Sequence, residues 1–304
     1  MTIAELLSLL GLSWSRLFIF PGGLFAFAVV ALAECALAHR RAVPLREDQN
    51  GGIRFVAEYQ RCLAAVSGFF RSDARLPALL TGSAIVPPWL GIALLPLPFA
   101  APPVRPIDIV ATVALLEWPR LLAIAADLRD GDQAHVTSGT RRLAAALNGY
   151  PPLVLSVMLL AQATGTLESA GFLRLPAHNA AITDAAWFWI GVAALALALP
   201  PLLDAGPFAS GTSDEGIIGT GLRLRTLGLI LLAVIPWLAL LTRMDQLWAA
   251  WLPPVVLAGL LWLFHRATQG ASAIYWARIY LAYDAVLLLL LLLAAILDLR
   301  QRLV

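Results

Sequence analysis

The chain has 304 residues, of which 60% are hydrophobic and only 13% charged, with a mean hydropathy of +0.81 and a formal net charge of +2. That apolar share is far above a soluble domain's. It excludes a water-soluble globular protein and leaves no room for a separate extramembrane domain. Two cysteines, Cys35 and Cys62, exclude a disulfide framework and a cluster-binding set, and all 21 basic residues are arginine.

From the N-terminus, Met1 to Arg16 lacks the basic region and small-residue cleavage site of a signal peptide, so the first span is expected to stay in the mature protein. A hydrocarbon core about 30 Å thick needs about 20 mostly apolar residues in helix. Eight such stretches follow, near 17–38, 78–101, 106–126, 142–164, 185–203, 221–241, 247–266 and 278–297. The runs are continuously apolar, as in helices, and do not alternate as barrel strands do. The fold class is therefore an all-α integral membrane protein, with residues 1–304 forming a single helical membrane domain. Loops are expected at about 39–77, 127–141, 204–220 and 267–277, on the cytoplasmic side.

Within the first loop, Phe55, Val56, Tyr59, Leu63, Val66 and Phe70 share a helical face while Arg54, Glu58 and Arg61 point elsewhere. Residues 53–70 thus read as an amphipathic helix lying in the interface. Pro87-Pro88 in the second span and Pro151-Pro152 in the fourth are expected to kink or interrupt their helices. Trp187, Trp189, Trp248 and Trp251 suit an outer interfacial belt. No internal repeat is visible, so an inverted-repeat transporter is not supported.

Orientation follows from the arginines. Arg40, Arg41, Arg46, Arg54, Arg61, Arg71, Arg75, Arg129, Arg141, Arg142, Arg223, Arg225, Arg266 and Arg278 fall on one side, and Arg16, Arg105, Arg174, Arg243, Arg300 and Arg302 on the other. Both termini are then periplasmic in a multi-pass protein of a bacterial inner membrane.

An ionisable group inside a span costs about 2.5–3.5 kcal/mol at a helix centre on insertion scales, so each needs a reason. Glu117 and Arg120 stand three apart on the third span and can face each other. Asp127 follows at its cytoplasmic end, Glu34 lies near the end of the first span, and Asp284 lies in the eighth beside Tyr280 and Tyr283. A chain of buried carboxylates, arginine and water is what proton movement requires. The run Asp127-Leu-Arg129-Asp130-Gly-Asp132 admits another reading, Mg²⁺ held against a diphosphate as in a membrane prenyltransferase. The second motif that such enzymes carry is missing: Asp204, Asp214 and Glu215 are too dispersed. His39, His135, His178 and His265 have no ligand spacing, so no metal site is expected.

Several stretches resemble the subunit of respiratory complex I that links its quinone-reducing arm to the membrane arm, and more closely the equivalent subunit of group-4 energy-converting [NiFe] hydrogenases and formate hydrogenlyases. They are Arg40-Arg41 with Gly51-Gly52-Ile-Arg54-Phe-Val-Ala-Glu58-Tyr59-Gln-Arg61, the Pro-rich Leu94-Leu-Pro96-Leu-Pro98-Phe99, Ser138-Gly139-Thr-Arg141-Arg142 opening the fourth span, and Gly206-Pro207-Phe208 followed by Asp214-Glu215. The resemblance implies a subunit without an active site of its own, anchoring a peripheral redox module to antiporter-like membrane subunits and contributing to proton or ion translocation. It implies a proton path through Glu34, Glu117, Arg120, Asp127 and Asp284 with Asp214 and Glu215 at its mouth. It also implies a docking surface of Arg40, Arg41, Arg54, Arg61, Arg141, Arg142, Arg223 and Arg225. Iron–sulfur clusters or a nickel–iron centre would sit in partner subunits, with no cofactor in this chain. The partners would be those subunits and membrane lipid, with no nucleic acid. The chain departs from the family at Gly206 and Ala209, which replace charged positions, and at Tyr150-Pro151-Pro152, which stands where a glutamate is usual. Those departures tell against quinone reduction. A stand-alone secondary transporter is the alternative reading, with the prenyltransferase behind it.

Overall fold

The computed structural model describes residues 4–5, 8, 12–40, 83–97, 100, 107–129, 132–168, 171, 182–208, 216–241, 252–268 and 271–303. Among them the regular elements are helices: α1 (Trp14–Phe18), α2 (Gly23–Arg40), α3 (Val86–Leu94), α4 (Ile109–Arg129), α5 (Gln133–Thr164), α6 (Ile182–Leu202), a 3₁₀ turn (Gly206–Phe208), α7 (Gly216–Leu241), α8 (Leu252–Ala267) and α9 (Ala273–Leu303). Among the described residues, six segments are long and apolar enough to cross a bilayer: Trp14–Ala33, Ile109–Arg129, Gln133–Thr164, Ala186–Phe208, Ile218–Leu238 and Ala273–Arg300. The all-helical membrane class follows from these lengths, because in hydrocarbon a helix satisfies its own backbone.

Two of the eight expected spans lie partly outside the described residues. The stretch 78–101 includes the nine-residue α3, and 247–266 includes most of the 16-residue α8. The interfacial helix expected at 53–70 lies outside the described residues. The loop expected at 127–141 is mostly helix, since α4 runs to Arg129 and α5 starts at Gln133. The loop expected at 267–277 is likewise short, because α9 begins at Ala273.

Two compact units divide the chain, residues 1–123 with 213–228 and residues 124–212 with 229–304. Boundaries at 123 and 228 fall inside α4 and α7, so no shift in composition marks them and the sequence reads as one domain. In the first unit, Leu12, Leu17, Ala93, Leu94 and Ile107 form an apolar cluster joining α1 to α3, with Trp89, Leu90 and Leu115 packed against it. In the second, α5 lies along α6, and α9 packs on α5. Gly149 sets α5 against Leu202, and Gly191 sets α6 against Leu160, where a Cβ would already crowd those leucines.

Neither pair of prolines interrupts its helix. Pro87 and Pro88 stand in the first turn of α3, where a backbone N–H has no intrahelical partner to lose. Pro151 and Pro152 lie within the unbroken 32 residues of α5. Carbonyls that prolines leave without a helical donor are served from other elements. Pro201 has no N–H for Leu197 O, and the Tyr280 hydroxyl donates to that oxygen at 2.9 Å. Leu17 O, at the end of α1, accepts from Trp89 Nε1 at 2.8 Å. Arg16, 1% exposed, closes the end of α3: its Nε donates to Ala93 O at 3.0 Å and its Nη2 to Leu95 O at 2.6 Å. A guanidinium there meets the negative end of the helix dipole.

Candidate functional site

The first unit buries an ion pair between α4 and α7. Arg225 donates from Nη2 to Glu117 Oε2 at 2.8 Å and Oε1 at 2.9 Å, and from Nε to Oε2 at 3.0 Å. Glu117 is 5% exposed and Arg225 1%. The fork of the guanidinium matches both carboxylate oxygens, the strongest geometry such a pair adopts. Arg120, fully buried, follows one turn along α4. Sequence reading offered Arg120 as the partner of Glu117 and put Arg225 on a docking surface. A residue this buried is no part of a surface, and Arg225 is corrected to a core position.

Glycines make the approach close enough. Gly221, Arg225 and Gly228 recur at helical spacing on one face of α7. A Cβ on Gly221 would meet the Ala84 carbonyl just before α3, and one on Gly228 would meet Leu116 of α4. Small residues at such positions let membrane helices draw together. This was the signal available in the sequence: an arginine between two glycines on one face marks a contact, not a charged rim.

The second unit repeats the device on the last turns of α4. Asp127 Oδ2 lies 3.3 Å from Arg142 Nε, and Asp127 Oδ1 lies 3.6 Å from His135 Nδ1. His135, Gly139 and Arg142 share one face of α5, and a Cβ on Gly139 would come within 2.9 Å of Asp127 Cβ. Arg142 is 1% exposed, so it too is corrected from docking surface to core. Arg141 beside it is exposed, and Arg223 is half-buried.

Asp284 lies on α9 with its Oδ1 buried and meeting no hydrogen-bond donor among the described residues. Tyr280 and Tyr283, expected as its companions, donate instead to Leu197 O and to Ala194 O at 2.8 Å. Glu34 and Arg40 lie on α2. Arg41, Arg54, Arg61, Asp214 and Glu215 lie outside the described residues. Among the described residues no three His, Cys, Asp or Glu side chains converge as metal ligands would. The spaced aspartates of the diphosphate reading thus include one, Asp127, that is occupied by an arginine.

Two cavities open in the second unit. One, about 330 Å³, is apolar and lined by α6, α8 and α9 residues including Leu197, Leu261, Phe264, Trp276 and Tyr280. The other, about 520 Å³, lies beside Arg141, Asn148, Phe208 and Ile274. The Phe208 and Tyr280 rings meet edge to face at 5.4 Å and pack on Ala145.

No family model matches the sequence, and no curated protein matches it. The fold, however, is that of a solved membrane protein. A chain in the structure of the membrane-bound sulfane sulfur reductase, an archaeal respiratory membrane complex, superposes with a TM-score of 0.59 at 15% sequence identity. The alignment covers 90% of this chain and 95% of that one. At this identity the likeness is one of backbone architecture, shared over almost the full length of both.

Proposed function

We propose that this chain is a membrane-embedded, non-catalytic subunit of a multi-subunit complex of the complex I and energy-converting hydrogenase type. The single observation that carries the reading is the fold shared with a chain of an archaeal respiratory membrane complex over 90% of this chain. In this reading the subunit links a peripheral redox module to antiporter-like membrane subunits. Any iron–sulfur or nickel–iron centres belong to the partners. The location is a bacterial inner membrane with both termini periplasmic. That orientation rests on the eight-span topology, on which removing the buried Arg142 and Arg225 from one side of the arginine tally and Arg16 from the other leaves twelve against five.

Glu117, Arg120 and Asp127 on α4 are proposed as elements of the proton path, with Glu34, Asp284, Asp214 and Glu215. Support comes from the pairing of both α4 carboxylates with buried arginines. Arg40, Arg41, Arg54, Arg61, Arg141 and Arg223 remain the proposed docking surface for the peripheral module.

The test is to purify the tagged chain in mild detergent from its native membrane and identify its companions by mass spectrometry. Antiporter-like chains together with a redox pair are expected; a chain that purifies alone refutes the reading. Glu117→Gln should then impair proton translocation in vesicles that contain the variant at wild-type level. Unchanged translocation removes Glu117 from the path.

A further inference from the structure

Among the described residues, α9 differs from the other five segments long enough to span. It is the most apolar, with a mean hydropathy of 2.5, and the least covered, with 17% of its span buried against 44–67% in the others. An exposed apolar helix needs no explanation in a bilayer, since lipid covers it. Asp284 does need one. It stands 11 residues from Ala273 and 16 from Arg300, so about 17 Å and 24 Å from the ends of the span. That depth, six residues past Arg278, lies within the hydrocarbon layer.

Its own fold offers the carboxyl group little. Oδ1 is buried without a donor among the described residues, and the two hydroxyls on the same turn of helix are committed to the carbonyls of Leu197 and Ala194. Asp284 sits at the edge between the stripe of α9 that faces the protein, with Tyr280 and Leu287 buried, and the stripe that faces away. The outward stripe runs Leu281, Ala285, Leu288 and Leu292, with Leu281 71% exposed and Leu288 48%. Ala282 and Ala285 flank Asp284 and are exposed, so another backbone could come close beside the carboxylate.

We infer that this face of α9 is the docking surface for a second membrane-spanning chain, which brings a lysine, arginine or histidine at the same depth to pair with Asp284. Charge complementarity selects that occupant. Acyl chains provide neither a cation nor a hydrogen-bond donor at that depth, whereas ionisable residues within spans characteristically pair with one another. The inference rests on the multi-subunit reading above and specifies which surface of the subunit meets a membrane partner and through what chemistry.

The experiment places a photoreactive side chain at Leu281 or Leu288 of the full-length tagged protein in its native membrane. Crosslinked chains are then identified in the wild-type, Asp284→Asn and Asp284→Leu backgrounds. Crosslinking is expected to one spanning chain with a basic residue at that depth. Asp284→Leu should lower its recovery about thirtyfold or more, as truncation of one member of a buried charged pair does at interfaces. Asp284→Asn should lower it less. Asp284→Arg combined with an acidic residue at the partner's basic position should restore it. Leucine replaces a polar group by an apolar one in the bilayer, so each variant is first matched to wild type for membrane level and for monodispersity in detergent. Crosslinks to lipid alone, in membranes where the wild type co-purifies with other spanning chains, overturn this inference and leave the multi-subunit reading intact. So does unchanged recovery in Asp284→Leu. A wild-type chain with no membrane companion overturns both.

Discussion

Replacing Arg225 by glutamine removes the fork that holds Glu117 and leaves a carboxylate with 7% side-chain exposure in the first unit. Breaking a buried pair by deleting one member costs about 3–5 kcal/mol. Arg120, one turn along α4, still presents a positive charge on the same helix, which sets the expectation for Arg225→Gln at the lower end, about 3 kcal/mol. Glu117→Gln should cost a similar amount, because it leaves buried guanidiniums without their carboxylate. The double variant should be less damaging than the sum of the two by about 2 kcal/mol, the coupling expected of directly bonded residues. Thermal unfolding of the purified chain in detergent, followed by circular dichroism, reads these values as midpoints. At about 2–4 °C per kcal/mol, each single variant should melt roughly 6–12 °C below wild type. A coupling below about 0.5 kcal/mol would refute the pair as a determinant of the fold, since that is the level at which independent sites add.

Gly221→Val should drive a side chain into the Ala84 carbonyl and cost about 1–3 kcal/mol by overpacking. Gly259→Ala on α8 meets open space and should raise the midpoint slightly, by up to about 1 kcal/mol of stability. Equal effects from the two would sink the close-approach account of α7. Tyr280→Phe should cost about 1–2 kcal/mol by leaving Leu197 O without a donor, and the loss should shrink when Pro201→Ala restores an N–H in the same chain. An undiminished loss in the double variant would separate the two residues. Arg16→Met should lower the melting midpoint and increase proteolysis near 94–97, because Ala93 O and Leu95 O lose their donors; a protease pattern identical to wild type would contradict it.

The membrane class was legible because continuous apolar runs are a direct consequence of solvation by lipid, and α4, α5, α6, α7 and α9 lie close to where those runs put them. Boundaries were less legible. Polar residues such as Gln133 and His135 continue α5 beyond the apolar stretch, since a helix leaving the bilayer needs no apolar face. Glu117 and Asp127 stood out as charges in or beside a span, yet their arginines did not. Arg142 and Arg225 sit where a count of positive charges per loop treats every arginine as surface. Only the spacing of Gly139, Gly221 and Gly228 relative to those arginines separates a contact face from a solvated one, and a count of charges per loop ignores it. The prolines misled for a different reason. The consequence of a missing N–H depends on whether another element, such as Tyr280, supplies a donor.

Arg16 carries a consequence for how the protein is made. It leaves the ribosome 77 residues before Ala93 and 79 before Leu95, the groups that neutralise its demand for acceptors. Throughout that interval these two carbonyls are not there for the guanidinium at the head of the first span to hold. A chain cut before residue 93 lacks both acceptors, so the seating of α1 against α3 is completed only after synthesis has passed residue 95.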